Sequence, residues 1–207
     1  MEPPASVARP PFDIVAIGSS AGGVAALSRV LAELPADFPA AVVAVHHLYR
    51  HKTSVLADVL GRCTRLPVRF AREADTLLPG TVTLAPADRH LAVYPDGVLR
   101  LTRTARLNFS RPAVDPFLVS VAFQYGPRAL GVLLTGANGD GGVGAWAIHY
   151  TGGLVLVQDT ATSLFPQMPE SAMSLGAASV MLPLEAIGPM IRDLVCGKAD
   201  QVSGTRT

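Results

Sequence analysis

Short apolar runs alternate along the chain with segments of helical periodicity. The runs 13–18 and 41–46 have the length of buried strands, and the segment 22–34 carries apolar residues at helical spacing until Pro35 stops it. A second helix is predicted over 53–62, so strands and helices alternate, which implies parallel neighbouring strands. We therefore predict an α/β fold: a three-layer, doubly wound, mainly parallel sheet with helices on both faces.

The second half of the chain continues this pattern after one interruption. Residues 91–101 hold two strand-like runs around Pro95-Asp96-Gly97, a turn sequence that predicts an antiparallel hairpin. Helices are then predicted over 115–125, 142–150 and 184–195, and strands over 129–134 and 154–158. The proline-rich residues 1–11 and the polar residues 197–207 are expected to form a flexible lead and tail, which leaves one domain over 12–196.

Composition narrows the class of protein. Apolar residues make up 49% of the 207 residues and aromatic residues only 6%, as expected for a core of Ala, Val and Leu between helices and a sheet. The apolar runs are far shorter than the roughly 20 residues that span a bilayer, and the start of the chain lacks the pattern of a secretory signal. Cys63 and Cys196 lack metal-ligand spacing. We expect a cytoplasmic protein without membrane insertion or a metal.

Charge is balanced overall but unevenly distributed. A net charge of +1 argues against a nucleic-acid-binding protein. Residues 50–111 nevertheless carry ten arginines and one lysine against five acidic residues, an excess of six positive charges. This stretch is interpreted either as a solvated surface or as a docking face for an acidic protein partner.

A G-x-S-x-G pattern follows the first predicted strand. Gly18-Ser19-Ser20-Ala21-Gly22 lies where the strand turns sharply into a helix, the context in which such a serine is exposed in front of helix amides. Ser20 is the candidate nucleophile and Ser19 the weaker one. A glycine-rich turn of this kind also binds phosphate groups, but the full dinucleotide and P-loop patterns are absent, which disfavours a nucleotide.

Candidates for a base and an acid follow two other predicted strands. His46 and His47 end the second strand and can reach Ser20 across the carboxyl edge of the sheet, and His51 is a third possible base. Asp140 lies in a glycine-rich loop after the strand 129–134, at the same edge. It could orient a histidine, or it could merely cap the helix that follows.

The ordered segments GSSAGG, VHHL, LAPADRHL, RPAVDPF, LTGANGDGG and VQDTATSLFPQMP together resemble the catalytic domain of CheB methylesterases over residues 13–195. The resemblance implies Ser20 as nucleophile, His47 as base and Asp140 as orienting acid. It further implies that backbone amides near Ala21 and Ala137 hold the oxyanion. Members of the family often carry Thr and Met at those two positions.

The resemblance also implies a pocket and an activity. The RPAVD segment and Met168 are expected in the pocket walls. The implied reaction is hydrolysis of glutamate methyl esters on chemoreceptor signalling domains, with deamidation of glutamines as a second activity and without a cofactor. The expected substrate partner is a methylated chemoreceptor or a related acidic helical protein. A separate signalling regulator is a second expected partner. Eleven residues cannot hold a receiver domain, so regulation without an attached receiver is expected.

Two other classes of function are compatible with parts of the sequence. A non-catalytic adaptor would bind acidic helices through the arginine-rich stretch, and intact Ser20, His47 and Asp140 count against it. A phosphate- or nucleotide-binding module would use the loop 18–23.

Overall fold

Nine strands occur in the parts of the chain that the computed structural model describes, residues 12–48 and 54–197. They are β1 (Ile14–Ser19), β2 (Ala41–His46), β3 (Val68–Phe70), β4 (Val82–Leu84), β5 (His90–Val93), β6 (Leu99–Thr102), β7 (Ala129–Leu133), β8 (Leu154–Gln158) and β9 (Val180–Leu182). Seven of them form a parallel sheet in the order β3-β4-β2-β1-β7-β8-β9, while β5 and β6 form a separate antiparallel hairpin.

Helices cover both faces of this sheet. They are α1 (Gly23–Ala32), α2 (Leu56–Gly61), α3 (Val114–Tyr125), α4 (Gly142–Tyr150), α5 (Gln167–Ser174) and α6 (Leu184–Val195). Helices α1, α2 and α6 pack on one face, and α3, α4, α5 and the hairpin pack on the other. None of the described helices has the length and apolar character that crossing a membrane would require.

The core consists of two apolar layers separated by the sheet. Along β1, Val15 and Ile17 point to the side of α1 and α6, whereas Ile14 and Ala16 point to the side of α3. All six residues of β1 are buried, because successive side chains alternate between two covered faces. This double burial explains why the strand has an uninterrupted apolar sequence.

The strand order reverses at β1. From β1 the chain passes outward through β2 to the edge strand β3, and later returns to β7 on the other side of β1. Crevices at the carboxyl ends of strands where the order reverses are the usual ligand sites of open α/β sheets. The loops after β1, β2 and β7 meet at this point.

The predicted fold class is confirmed. The predicted strands 41–46 and 154–158 and helices 142–150 and 184–195 agree with the structure, and the predicted hairpin is present. Four short elements were not predicted, namely β3, β4, α5 and β9. The predicted helix 53–62 is observed as Leu56–Gly61, and Thr53 lies outside the described residues, as do the lead 1–11 and the tail from residue 198.

Candidate active site

Three polar side chains form a hydrogen-bonded chain at the carboxyl edge of the sheet. Ser20 Oγ lies 2.9 Å from Nδ1 of His47, and His47 Nε2 lies 2.8 Å from Oδ2 of Asp140. The side chain of His47 is 13% exposed and that of Asp140 is fully buried. The structure therefore brings together the three residues that the sequence singled out, with the serine facing solvent and the acid in the interior.

Backbone contacts fix the serine and the histidine relative to each other. The amide of Ser20 donates to Thr135 O at 3.0 Å and that of His47 donates to Ser19 O at 3.3 Å, so the ladder of the parallel sheet extends just past the strand ends. Gly22 then turns with φ +75°, in the left-handed region that favours glycine. A Cβ on Gly23 would lie 2.7 Å from that of Ser19. Helix α1 can thus begin directly behind Ser20.

A second serine–histidine pair lies on the opposite face of the same two strands. Ser19 Oγ is 3.0 Å from His46 Nδ1, and Ser19 is fully buried. Burial, followed by the charge of His47, lowers the pKa of His46 from 6.5 to about 4. His46 is therefore neutral near pH 7 and pairs with the buried serine rather than with Ser20. The third candidate base, His51, lies outside the described residues.

Asp140 is the meeting point of four donors within the described residues. Its Oδ2 accepts hydrogen bonds from His47 Nε2 and from the Val114 amide at 2.7 Å. Its Oδ1 accepts from the Asp115 amide at 3.0 Å and from Nδ2 of Asn108 at 3.1 Å. Burial by itself would raise the pKa of Asp140, but the hydrogen bonds from His47, Val114 and Asp115 hold it below its ordinary value. Asp140 is thus a carboxylate that can orient His47.

The alternative capping role of Asp140 takes an unexpected form. Gly141, and not Asp140, is the N-cap residue of α4, and a glycine has no side chain that could cap the helix. Asp140 instead binds the first amides of the neighbouring helix α3. Asp115 at the start of α3 in turn accepts hydrogen bonds from the amides of Gly141 and Gly144 at 2.9 Å each. The two helices therefore cap each other, and the alternative in which Asp140 merely caps the helix that follows it is wrong.

An open cavity of about 1090 Å³ lies in front of Ser20. Its lining includes Ala21, His47, Arg106 and Phe109. Arg111 of the predicted RPAVD wall also lines it. Among the described residues, no group of three or more His, Cys, Asp or Glu side chains is arranged to hold a metal ion.

Met168 and Ala137, both expected near the pocket, differ in burial. Met168 is fully buried and does not line the cavity, so its expected place in the wall is wrong. It packs beneath the loop after β7, where a Cβ on Gly136 would come within 2.8 Å of its Cε. Ala137 is exposed. Within the described chain, the backbone amides of Ala21 and Ala137 have no protein acceptor, which leaves both able to donate to a ligand.

A hairpin loop over residues 103–110 contributes Arg106, Phe109 and Ser110 to the lining of the cavity. Leu107 and Ser110 exchange backbone hydrogen bonds, and between them Asn108 and Phe109 have φ values of +48° and +62°. These are the signs of φ found in a type I′ turn, which favours Asn at the first central position and Gly at the second. Phe109 is 97% exposed at the mouth of the cavity. The turn thus presents an aromatic ring to solvent at some cost in backbone strain.

The motifs LAPADRHL and RPAVDPF anchor this loop. His90 Nε2 donates to Ala105 O at 2.9 Å, and its Nδ1 accepts from the Ala113 amide. Arg111 binds Asp88 at 2.6 Å. The hydrogen bonds from Arg111, with those from Arg103, hold the pKa of Asp88 to about 2. The sequence singled out both motifs, but it could not show that they contact each other through Arg111 and Asp88. It also gave no sign that Asn108 would contact Asp140.

Part of the arginine-rich stretch is neutralised by its own acids. Asp75 pairs with Arg69, Glu73 with Arg100, and Asp88 with both Arg103 and Arg111. Arg106, which lines the cavity, has no ion pair among the described residues. Arg50 and Lys52 lie outside the described residues. A docking role for the stretch stays a prediction.

The fold and the site define an α/β protein with a Ser–His–Asp constellation at the switch point of a parallel sheet. The CheB methylesterase family model matches residues 15–191, and the chain belongs to this family. The crystal structure of the CheB methylesterase catalytic domain of Thermotoga maritima is similar, with a TM-score of 0.85 and 35% sequence identity, over 89% of this chain and 99% of that one.

Curated relatives with similar sequences carry a double name. The chain is 46% identical over 178 residues to protein-glutamate methylesterase/protein-glutamine glutaminase 2 of Burkholderia lata. The matched region covers 86% of this chain and 52% of the relative. It is also 43% identical over 193 residues to the protein-glutamate methylesterase/protein-glutamine glutaminase of Moorella thermoacetica. That matched region covers 91% of this chain and 46% of the relative. The chain spans about half the length of these relatives.

Proposed function

We propose that the protein is a protein-glutamate methylesterase in which Ser20 is the nucleophile, His47 the general base and Asp140 the orienting acid. The observation that carries the proposal is the hydrogen-bonded chain from Ser20 Oγ through His47 to the buried Asp140. A serine hydroxyl is a weak nucleophile unless a base accepts its proton, and the base works best when a third group fixes its orientation.

The contacts assign a hydrogen-bonding role to each nitrogen of His47. Because the Asp140 carboxylate can only accept, the proton of the neutral imidazole belongs on Nε2. Nδ1 then carries the lone pair that accepts the hydrogen bond from Ser20 Oγ. In the common serine-protease arrangement the two nitrogens have the opposite roles. Here the proton of the serine would pass to Nδ1.

The reaction then follows in two halves. Ser20 Oγ attacks the ester carbonyl while His47 Nδ1 takes its proton, and the tetrahedral oxyanion is held by the amides of Ala21 and Ala137. Collapse of this intermediate breaks the bond to methoxide, which takes the proton from His47 and leaves as methanol. Water repeats the sequence on the acyl-serine, which releases glutamate and restores the serine hydroxyl. Each oxyanion donor is typically worth about 3 to 4 kcal/mol of barrier.

The proposed substrate is a methylated chemoreceptor or a related acidic helical protein in the cytoplasm. The names of the relatives support glutamate methyl esters as substrates and glutamines as second substrates. Arg106 in the cavity lining provides a cation that would favour acidic residues beside the ester. The chemistry at a glutamine would be the same, with ammonia as the leaving group.

Release of methanol from methyl-labelled chemoreceptor fragments tests the proposal. The wild type should release methanol and Ser20→Ala should release none, because this substitution removes the attacking oxygen and little else. Ser19→Ala is the matched control and should retain substantial activity, since Ser19 is buried against His46. Binding of the fragments by the wild type without methanol release would overturn the proposal and favour a non-catalytic adaptor.

A further inference from the structure

The side-chain amide of Asn108 joins two carboxylates. Its Nδ2 lies 3.1 Å from Oδ1 of Asp140 and 3.1 Å from Oδ2 of Asp115. An amide nitrogen carries two hydrogens, so both bonds can form at once. Neither contact belongs to the Ser20–His47–Asp140 chain itself. Asn108 is therefore a polar group in contact with the acid that the mechanism above does not use.

The two carboxylates lie close enough to contact the same amide because each caps the N-terminus of a helix in this pair. Asp140 serves the first amides of α3, and Asp115 serves those of α4. Burial raises the pKa of Asp115, and the negative charge of Asp140 raises it further. Without a donor between them, repulsion would push the two side chains apart or favour protonation of Asp115, the carboxyl whose pKa is already raised. Either change would disturb the position of Asp140, whose Oδ2 holds His47.

The backbone that carries Asn108 suits this residue. With φ at +48°, position 108 is in the left-handed region, where Asn, Asp and Gly are accepted most readily. Asn138, from the same loop as Asp140, donates to Asn108 O at 3.4 Å. His90 holds the loop at Ala105. The amide thus reaches Asp140 from a turn that is tied down on both sides.

We propose that Asn108 is a positioning residue that acts through Asp140: its amide holds the acid in place beside Asp115 and so fixes the orientation of His47. This inference rests on the proposed Ser20–His47–Asp140 mechanism. The competing role is purely structural, in which Asn108 is present only because the turn needs a residue that tolerates a positive φ.

Two substitutions separate these roles because both keep the backbone unstrained. Asn108→Gly removes the amide and accepts a positive φ freely. Asn108→Asp keeps the shape and tolerates the conformation, but it offers acceptors to two carboxylates and adds a third negative charge. Leu107→Ala is the control in the same turn, since Leu107 is 46% exposed and does not line the cavity.

The rate at which a fluorophosphonate labels Ser20, together with kcat and KM for a small methyl ester, measures the effect. We expect Asn108→Gly to lower kcat and the labelling rate by about 10- to 100-fold, as for loss of a hydrogen bond to a charged group. Asn108→Asp should lower both further. KM should change by less than about twofold, and Leu107→Ala should label at the wild-type rate. Thermal unfolding confirms that each variant is folded.

The NMR signal of the His47 Nε2 proton provides a readout that a structural role would not move. In the wild type this proton lies in the hydrogen bond to Asp140, and we expect its signal to shift or disappear in both Asn108 variants and to be unchanged in Leu107→Ala. Labelling of Asn108→Gly at the wild-type rate would overturn the inference. So would slower labelling with an unchanged His47 signal.

This design also separates the inference from the proposed function. If the wild type labels at Ser20 but releases no methanol from receptor fragments, the proposed substrate is wrong, while the effect of Asn108 on labelling can still be measured. If the wild type releases methanol and the Asn108 variants match it in rate and in the His47 signal, only the inference fails.

Discussion

Replacing Asp140 by Asn exchanges one acceptor oxygen for an NH2 group at a point where four donors converge. If the NH2 takes the place of Oδ1, it faces the donors of Asp115 and Asn108. If it takes the place of Oδ2, it faces the Val114 amide and His47. Both orientations therefore leave a buried backbone amide opposite another donor.

The structure permits an estimate of both losses. A buried donor left without a partner costs about 1–3 kcal/mol, and the lost negative charge weakens the remaining hydrogen bonds, so Asp140→Asn should lower the free energy of unfolding by about 2–4 kcal/mol. For activity, the second orientation forces the His47 proton onto Nδ1, which then cannot accept the serine proton. Substitution of a triad aspartate by Asn costs about 10⁴ in kcat in a serine protease, and we expect a loss of about 10³ to 10⁴ here.

Urea unfolding and fluorophosphonate labelling measure these two effects separately. Asp159→Asn is the matched control, because both donors of Thr162 converge on Oδ1 of Asp159 and an Asn oxygen can replace it. This control should lose less than about 0.5 kcal/mol and label normally. Wild-type labelling by Asp140→Asn would refute the role of Asp140 as orienting acid. Unchanged stability would refute the four-donor account.

Three further outcomes follow from the site. His47→Gln should reduce labelling of Ser20 by several orders of magnitude, whereas His46→Gln should retain it, since His46 contacts Ser19 instead; equal losses would refute this assignment. Because burial, with a smaller contribution from the charge of His47, lowers the pKa of His46 from 6.5 to about 4, the unfolded chain binds this proton more readily. As the pH falls from 6.5 to 4, the free energy of unfolding of the wild type should therefore fall by roughly 3 kcal/mol relative to that of His46→Gln. If the free energies of unfolding of the two proteins changed in parallel with pH, the lowered pKa of His46 would be contradicted. Phe109→Gly should raise the free energy of unfolding by up to about 1 kcal/mol by relieving the positive φ, while raising KM for a protein substrate more than for a small ester; a destabilised variant would show that the ring packs on the protein.

The sequence predicted the centre of the fold well because buried parallel strands leave a clear signal. β1 and β2 are apolar on both faces, and each ends in polar residues that leave the sheet at its carboxyl edge. Adjacency of consecutive strands then placed His46 and His47 near Ser20, and the resemblance to the family singled out His47. The edge strands β3 and β9 were missed, as was β4, because each has only three residues and shows no alternation long enough to recognise.

Contacts between distant segments account for the parts of the site that the sequence could not predict. The sequence offered a cap on the helix directly after it as the alternative role of Asp140, since local capping is the relation that a single chain segment can reveal. The observed partner lies 25 or 26 residues away at the start of α3. Met168 belongs to the segment VQDTATSLFPQMP, which the resemblance placed at the pocket, yet it packs closely against Gly136 in the core. Only the packing of α3, α4 and α5 determines these positions.

Helix packing and the candidate site depend on one another through Gly144. A Cβ at this position would lie 2.5 Å from that of Leu118 and 3.0 Å from Asp115 O, so only glycine lets α4 approach α3 so closely. This approach brings the two helix N-termini side by side, and each acid can then reach the amides of the other helix. Since the dipole of a helix favours a negative charge at its N-terminus, the same contacts that join the helices keep Asp140 ionised and in a fixed orientation. The orientation of His47 toward Ser20 is therefore a consequence of how α3 and α4 pack, as well as of the strand ends that carry the two residues.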